Sequence, residues 1–145
     1  LSQGSPTQQR GALHEASAVT LLEDAGLSIV TRNFNSKLGE LDIVAVQSAK
    51  VAMQSPKVAA QSKRRADSRP KTAALHFVEV RYRATDKYGS AAESITKSKQ
   101  AKLKKTAALF LQLHPAFSNC RAQFDVITVS GTNYPFKTEW IQDAF

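Results

Sequence analysis

The sequence predicts an α/β fold, a central mixed sheet flanked by helices, with elements in the order helix, strand, strand, strand, helix, strand. Three observations predict it. Residues 39–46 and 75–83 have the β-branched, aromatic and period-two character of strands. Residues 5–25 and 96–114 carry apolar side chains at helical spacing. Length and composition, at 145 residues with 42% hydrophobic and 22% charged, suit one compact domain spanning 1–145.

The first helix starts at Ser5 as N-cap, with Pro6 at the first helical position and Gln8 completing a capping box. It is expected to run to about Ala25, where Gly26 stops it. Ala12, Glu15, Val19 and Leu22 share one stripe, which puts a carboxylate inside an apolar face. A charged, unpaired carboxylate there costs several kcal/mol or more. Two roles for Glu15 therefore stand side by side: a third acid of a site facing a cleft, or a salt bridge to a core arginine such as Arg32.

Ser28 to Phe34 reads as the first strand, and residues 33–39 turn it back into the second, Glu40 to Val46. On the second strand Asp42 shares a face with Val44 and Val46, an inward position that aspartate seldom occupies. Glu40 lies one step earlier on that face, as a solvent-facing strand start or a supporting partner of Asp42. Residues 47–74 mix Ala, Ser, Gln, Lys and Arg with Pro56 and Pro70 and hold no sustained period. They read as a long flexible loop joining two antiparallel strands.

The third strand, Leu75 to Arg83, alternates its side chains so that Phe77, Glu79, Arg81 and Arg83 share one face and Val78, Val80 and Tyr82 the other. If it neighbours the second strand, Asp42 and Glu79 converge on one divalent cation, and Arg81 reaches whatever that cation holds. Such a grouping is a candidate magnesium-dependent phosphodiester site. Residues 85–90 form a turn, and Thr96 or Ser98 caps a second helix running to about His114, before Pro115. Leu103, Ala107, Phe110 and Leu111 make its buried stripe, with Gln100 at the N-terminal end of the stripe and Lys104 beside it. Lys97, Lys99, Lys102, Lys104 and Lys105 crowd its first turns, against the preference of a helix N-terminus for anions. A bound phosphate would reverse that account. Gln123 to Val129 reads as a fourth strand, with Asp125 facing inward beside Ile127 and Val129 as a structural partner for an arginine, a catalytic role being the alternative. Trp140, Ile141, Ala144 and Phe145 form an apolar C-terminal clasp.

Charge is concentrated along the chain. The formal net charge is +8; residues 47–74 hold seven basic side chains against one acid, and residues 81–105 hold eight against two. The remainder is net acidic. Two basic segments flanking acid-bearing strands suit a polyanion, and Arg64, Arg65, Arg83, Lys97, Lys99, Lys102 and Lys104 are the candidate nucleic-acid contacts. Cys120 is the one cysteine, which excludes an internal disulfide framework and a multi-cysteine zinc site and suits a reducing, cytoplasmic setting. No apolar run approaches the roughly 18 residues of a membrane span. His14, His76 and His114 come with no nucleophile-elbow pattern, against a serine hydrolase.

The motifs Arg32-Asn33-Phe34, Gly39-Glu40-Leu41-Asp42-Ile43-Val44, Phe77-Val78-Glu79-Val80-Arg81-Tyr82-Arg83, Lys99-Gln100, Phe124-Asp125-Val126-Ile127 and the terminal Trp140…Ala144-Phe145 together resemble the YraN-like family, a bacterial group of unestablished function. The likeness covers nearly the whole chain. The chain likewise resembles the PD-(D/E)xK superfamily, which implies a restriction-endonuclease-like αβββαβ core similar to archaeal Holliday-junction resolvases. By that comparison Asp42 and Glu79 match the metal carboxylates, Glu15 the helix acid, Arg81 the basic position and Gln100 a polar residue on the following helix. The cofactor so implied is Mg²⁺ or Mn²⁺. The implied activity is phosphodiester cleavage in nucleic acid, DNA before RNA, including branched or structured DNA. Related resolvase-like folds often act as dimers, so a homodimer is expected on the same ground.

Two departures stand out. Arg81 occupies a position where the superfamily most often has lysine; arginine stays protonated, so it can neutralise a developing phosphorane but not serve as a general base. Activation of water then falls to the metal. The basic segment 47–74 replaces a short hairpin. An alternative is a non-catalytic nucleic-acid-binding protein that keeps the nuclease fold, and a weaker one is an adaptor whose positive surface meets a ribosome or an acidic protein.

Overall fold

A computed structural model describes residues 5–47, 73–83 and 95–145. Most of the expected basic loop, with Arg64 and Arg65, and the expected turn at 85–90 lie outside the described residues.

Helix α1 (Pro6–Asp24) begins as its sequence dictates. Ser5 Oγ accepts from the Gln8 N–H at 3.3 Å and Gln8 Oε1 accepts from the Ser5 N–H at 3.0 Å, closing the capping box. Gly26, at φ 92°, then turns the chain into the sheet, a backbone conformation that glycine alone adopts cheaply. Strands β1 (Leu27–Ser36) and β2 (Gly39–Gln47) form an antiparallel hairpin, with a register shift between Ile29 and Thr31. Strand β3 (Ala74–Arg83) pairs antiparallel with β2. Helix α2 (Lys97–Leu113) is capped by Thr96, whose side chain accepts from the Lys99 N–H at 3.1 Å. It carries the chain across to β4 (Arg121–Ser130), parallel to β3, the kind of pairing that needs such a crossover.

The sheet order is β1-β2-β3-β4-β5, mixed and flanked by the two helices, so the expected α/β arrangement is present. Strand β5 (Lys137–Ile141) adds to it where the sequence suggested only an apolar clasp. Thr138 and Trp140 alternate there with Lys137 and Glu139, a short charged edge that discourages further pairing.

The two faces of the sheet carry separate cores. Ala18 and Leu22 of α1 pack against Ile43, Ala45, Val78, Ile127 and Val129. Leu103, Ala107 and Phe110 of α2 pack against Val44, Leu75 and Phe77. Gly39 lets α2 sit close: it has φ 153°, and an added Cβ would lie 2.9 Å from Thr106 Oγ1, which is itself fixed by donating to the Lys102 carbonyl at 2.7 Å.

On the α1 side Asp125 is fully buried and, contrary to expectation, is not paired with an arginine among the described residues. Its oxygens accept from His76 Nδ1 at 2.6 Å, Trp140 Nε1 at 3.0 Å, Gln123 Nε2 at 3.0 Å and the Asp143 N–H at 2.9 Å. Arg121 donates to Gln123 Oε1, at 3.2 Å. One carboxylate thus ties β3, β4, β5 and the C-terminal turn together. Burial alone would raise its pKa, but the hydrogen bonds from His76, the Asp143 backbone, Gln123 and Trp140 outweigh it and hold the group below its ordinary value.

Asp125→Ala strands these donors and is expected to lower stability by about 3–5 kcal/mol in urea unfolding at neutral pH. Because the folded pKa is depressed, the contribution is present above the ordinary value of 3.8 and lost as pH falls through the lower folded value. The gap between wild type and variant should therefore close in acid.

Candidate functional site

The register of β2 against β3 runs from Val46 opposite Leu75 to Ile43 opposite Val78. One step beyond that last pair stand Asp42 and Glu79. Since Val44 and Phe77 face α2, strand alternation sends both acids to the same side. They line a cavity of about 360 Å³ together with Gly39, Glu40, Lys99 and Lys102, under the N-terminal turns of α2. Asp42 Oδ2 accepts from the Val80 N–H at 2.9 Å, which fixes the carboxylate across the gap between strands.

Like charges set the electrostatics. Burial, then the neighbouring Glu79 carboxylate, and to a smaller degree Glu40, push Asp42 from 3.8 to about 7, against the Val80 hydrogen bond, which lowers it. Glu79, only 6% exposed, finds its counter-charge from two directions. Lys99 Nζ lies 2.7 Å from Glu79 Oε1 and Arg81 Nε lies 3.6 Å from the same oxygen. Arg81 Nε is buried and has no hydrogen-bond partner among the described residues.

The expected residues divide accordingly. Asp42, Glu79 and Arg81 come together. Glu15 does not join them: α1 packs on the opposite face of the sheet, and Glu15 accepts from Arg32 Nε at 3.1 Å and Asn33 Nδ2 at 3.1 Å. Of its two roles, the structure shows the pairing with Arg32. Gln100 is turned away as well, donating from Nε2 to the Ile95 carbonyl at 3.1 Å at the start of α2. Among the candidate phosphate contacts, Lys99 and Lys102 line the cavity, whereas Lys97 and Lys104 are exposed elsewhere on α2 and Arg83 ends β3. The direct ion pair of Lys99 with Glu79 was not legible in advance, because the segment before α2 gives no spacing from which to register a helix against a strand.

The chain matches the model of a family described as "Uncharacterised protein family UPF0102" over residues 14–129. The chain belongs to the UPF0102 family. This is the YraN-like group that its motifs resemble. A UPF0102 protein of Xanthomonas axonopodis pv. citri is 40% identical over 138 residues, covering 95% of this chain and 92% of its own. One from Psychrobacter is 34% identical, covering 97% and 90%, and one from Stutzerimonas stutzeri is 33% identical, covering 97% and 98%. Among the described residues of this UPF0102 chain, no helix is long and apolar enough to cross a membrane.

Whether a divalent ion suits the cavity is decided by its donors. The Glu79 carboxylate on the neighbouring strand helps to raise the proton affinity of Asp42, so an added positive charge between the two acids would be stabilising. Among the described residues no cluster of three or more acids, histidines or cysteines could hold a metal. A hard, oxygen-seeking ion that keeps several waters and is bound by one or two carboxylates plus a phosphate fits such a pair; zinc, which needs a fuller protein set, does not. Mg²⁺ and Mn²⁺ fit.

Metal-free Asp42→Asn protein provides the check on the electrostatics. With the folded pKa raised, the unfolded chain ionises first as pH rises from 3.8 to about 7, so Asp42 lowers stability across that window and fully above it. The variant, which can still accept from Val80, should match wild type near pH 4 and exceed it by a few kcal/mol near pH 8 in chelator-treated unfolding experiments.

Proposed function

We propose that this UPF0102 chain is a divalent-metal-dependent nuclease that hydrolyses phosphodiester bonds in DNA, branched or structured DNA included. The observation that carries the reading is the convergence of Asp42 and Glu79 on one cavity that Lys99 and Lys102 also line, with Arg81 beside Glu79. The resemblance of the strand motifs to PD-(D/E)xK enzymes supports it independently of the geometry.

Asp42 and Glu79 are the residues that would hold Mg²⁺ or Mn²⁺, which when bound supplies a Lewis acid for the phosphoryl group and lowers the pKa of water. The Arg81 guanidinium, held beside Glu79, neutralises charge that builds on the phosphate oxygens. Lys99 and Lys102 at the cavity draw in the nucleic-acid backbone. Val80 keeps Asp42 oriented through its N–H.

A second reading, a non-catalytic nucleic-acid binder on a nuclease fold, is favoured by one observation: Glu79 already has an ion-pair partner in Lys99 at 2.7 Å.

Branched, flapped and single-stranded DNA, with RNA for comparison, incubated with Mg²⁺ or Mn²⁺ separates the two. The nuclease reading expects metal-dependent cleavage that Asp42→Ala or Glu79→Ala each slows by at least about 100-fold. Salt-sensitive binding without cleavage under either metal, unchanged or tighter in Glu79→Gln, would leave the binder.

A further inference from the structure

We propose that Lys99 is an internal counter-ion: its ammonium holds the place of the divalent cation at Glu79 and leaves when that cation binds. The inference rests on the metal-dependent reading of the cavity and adds to it a competition built into the chain.

Two cations approach Glu79 Oε1, and they are differently attached. Arg81 comes from β3 itself; its Nε is buried, lies 3.6 Å away and makes no hydrogen bond among the described residues, so the strand holds it near the carboxylate without letting it satisfy the oxygen. Lys99 comes from the first turn of α2 and closes to 2.7 Å, so it supplies the hydrogen-bonded charge. The Lys99 backbone is anchored, because its N–H donates to the Thr96 cap at 3.1 Å. Its side chain is not: it is 43% exposed, against 7% for Glu79. A four-carbon stem with that much access to water can swing clear at little cost, whereas a buried guanidinium edge cannot.

Charge makes the two occupants exclusive. A divalent ion on Asp42 and Glu79 would stand within a few ångströms of the ammonium at the same carboxylate oxygen, in a partly desolvated cavity where like charges repel strongly. With the ion absent, the ammonium is what offsets the paired acids. With the ion present, Lys99 is released toward the cavity mouth beside Lys102, where a phosphate backbone would meet it. Lys99 therefore depresses divalent affinity, and nucleic acid, by giving the displaced ammonium a new anion, would relieve the penalty. Lys99 is a positioning residue, acting through Glu79.

Calorimetric titration of MnCl₂ into wild type, Lys99→Gln and Lys99→Arg, with no nucleic acid present, tests it. Lys99→Gln should bind Mn²⁺ at least about tenfold more tightly than wild type, and Lys99→Arg should stay within about threefold. Equal or weaker binding by Lys99→Gln overturns the competition while leaving the metal site standing. No Mn²⁺ binding by any of the three overturns the competition and the metal-dependent reading together. Wild-type protein gives a second measurement that does not depend on the variants folding. Added Mg²⁺ should raise amine-reactive labelling of Lys99 relative to the exposed Lys105, read by peptide mass spectrometry; an unchanged ratio overturns the proposal.

Discussion

Two carboxylates in one partly dry cavity cannot both carry charge unless a cation stands with them. The arrangement of Asp42 and Glu79 imposes that constraint on everything around it. Asp42 responds by holding its proton up to about neutral pH, and Glu79 by drawing Lys99 across from α2. A fold selected only for stability would place apolar or singly paired groups here, since desolvated acids brought together destabilise the folded state. Strain of this kind in a cavity, away from the well-packed cores, is where chemistry is expected.

The geometry that creates the pair is simple. Register puts the two residues on adjacent strands one step past the last β2–β3 pair, and alternation turns both toward α2. The rest of the sheet keeps them there. Phe110, Leu103 and Ala107 fasten α2 over β2 and β3, and Gly39 leaves room for Thr106, so the N-terminal turns of α2 close over the acids. At the other end of β3, on the opposite face, the Asp125 hydrogen bonds bind β3 to β4 and β5. The contrast between the buried acids is informative. Asp125 has four donors and is held ionised; Asp42 has one backbone donor and an acidic neighbour and is held protonated.

Much of this was legible in the residues themselves. Ser5, Pro6, Gln8 and Gly26 mark both ends of α1 by local chemistry, so its bounds follow without tertiary information. The period-two pattern of 39–46 and 75–83 gave the faces on which Asp42, Glu79 and Arg81 lie, because alternation is a property of the strand alone. What was not legible depends on contacts between elements. Glu15 sits in an apolar stripe whether α1 packs on one face of the sheet or the other, and only packing decides that it meets Arg32 and Asn33. The partners of Asp125 are an imidazole, an indole and an amide drawn from three strands, in place of an arginine. Strand β5 is five residues long, two of them charged, too short for its alternation to separate it from a loop. Lys99 reads as one of five lysines on α2; nothing in its spacing distinguishes the one that reaches Glu79.

The central claim is that Asp42 and Glu79 together hold one divalent cation. Anomalous diffraction from crystals soaked in MnCl₂ tests it most directly. A single strong peak within about 2.1–2.2 Å of carboxylate oxygens from both residues is the predicted result. No peak in the cavity, or one held elsewhere while Lys99 stays on Glu79, would contradict it.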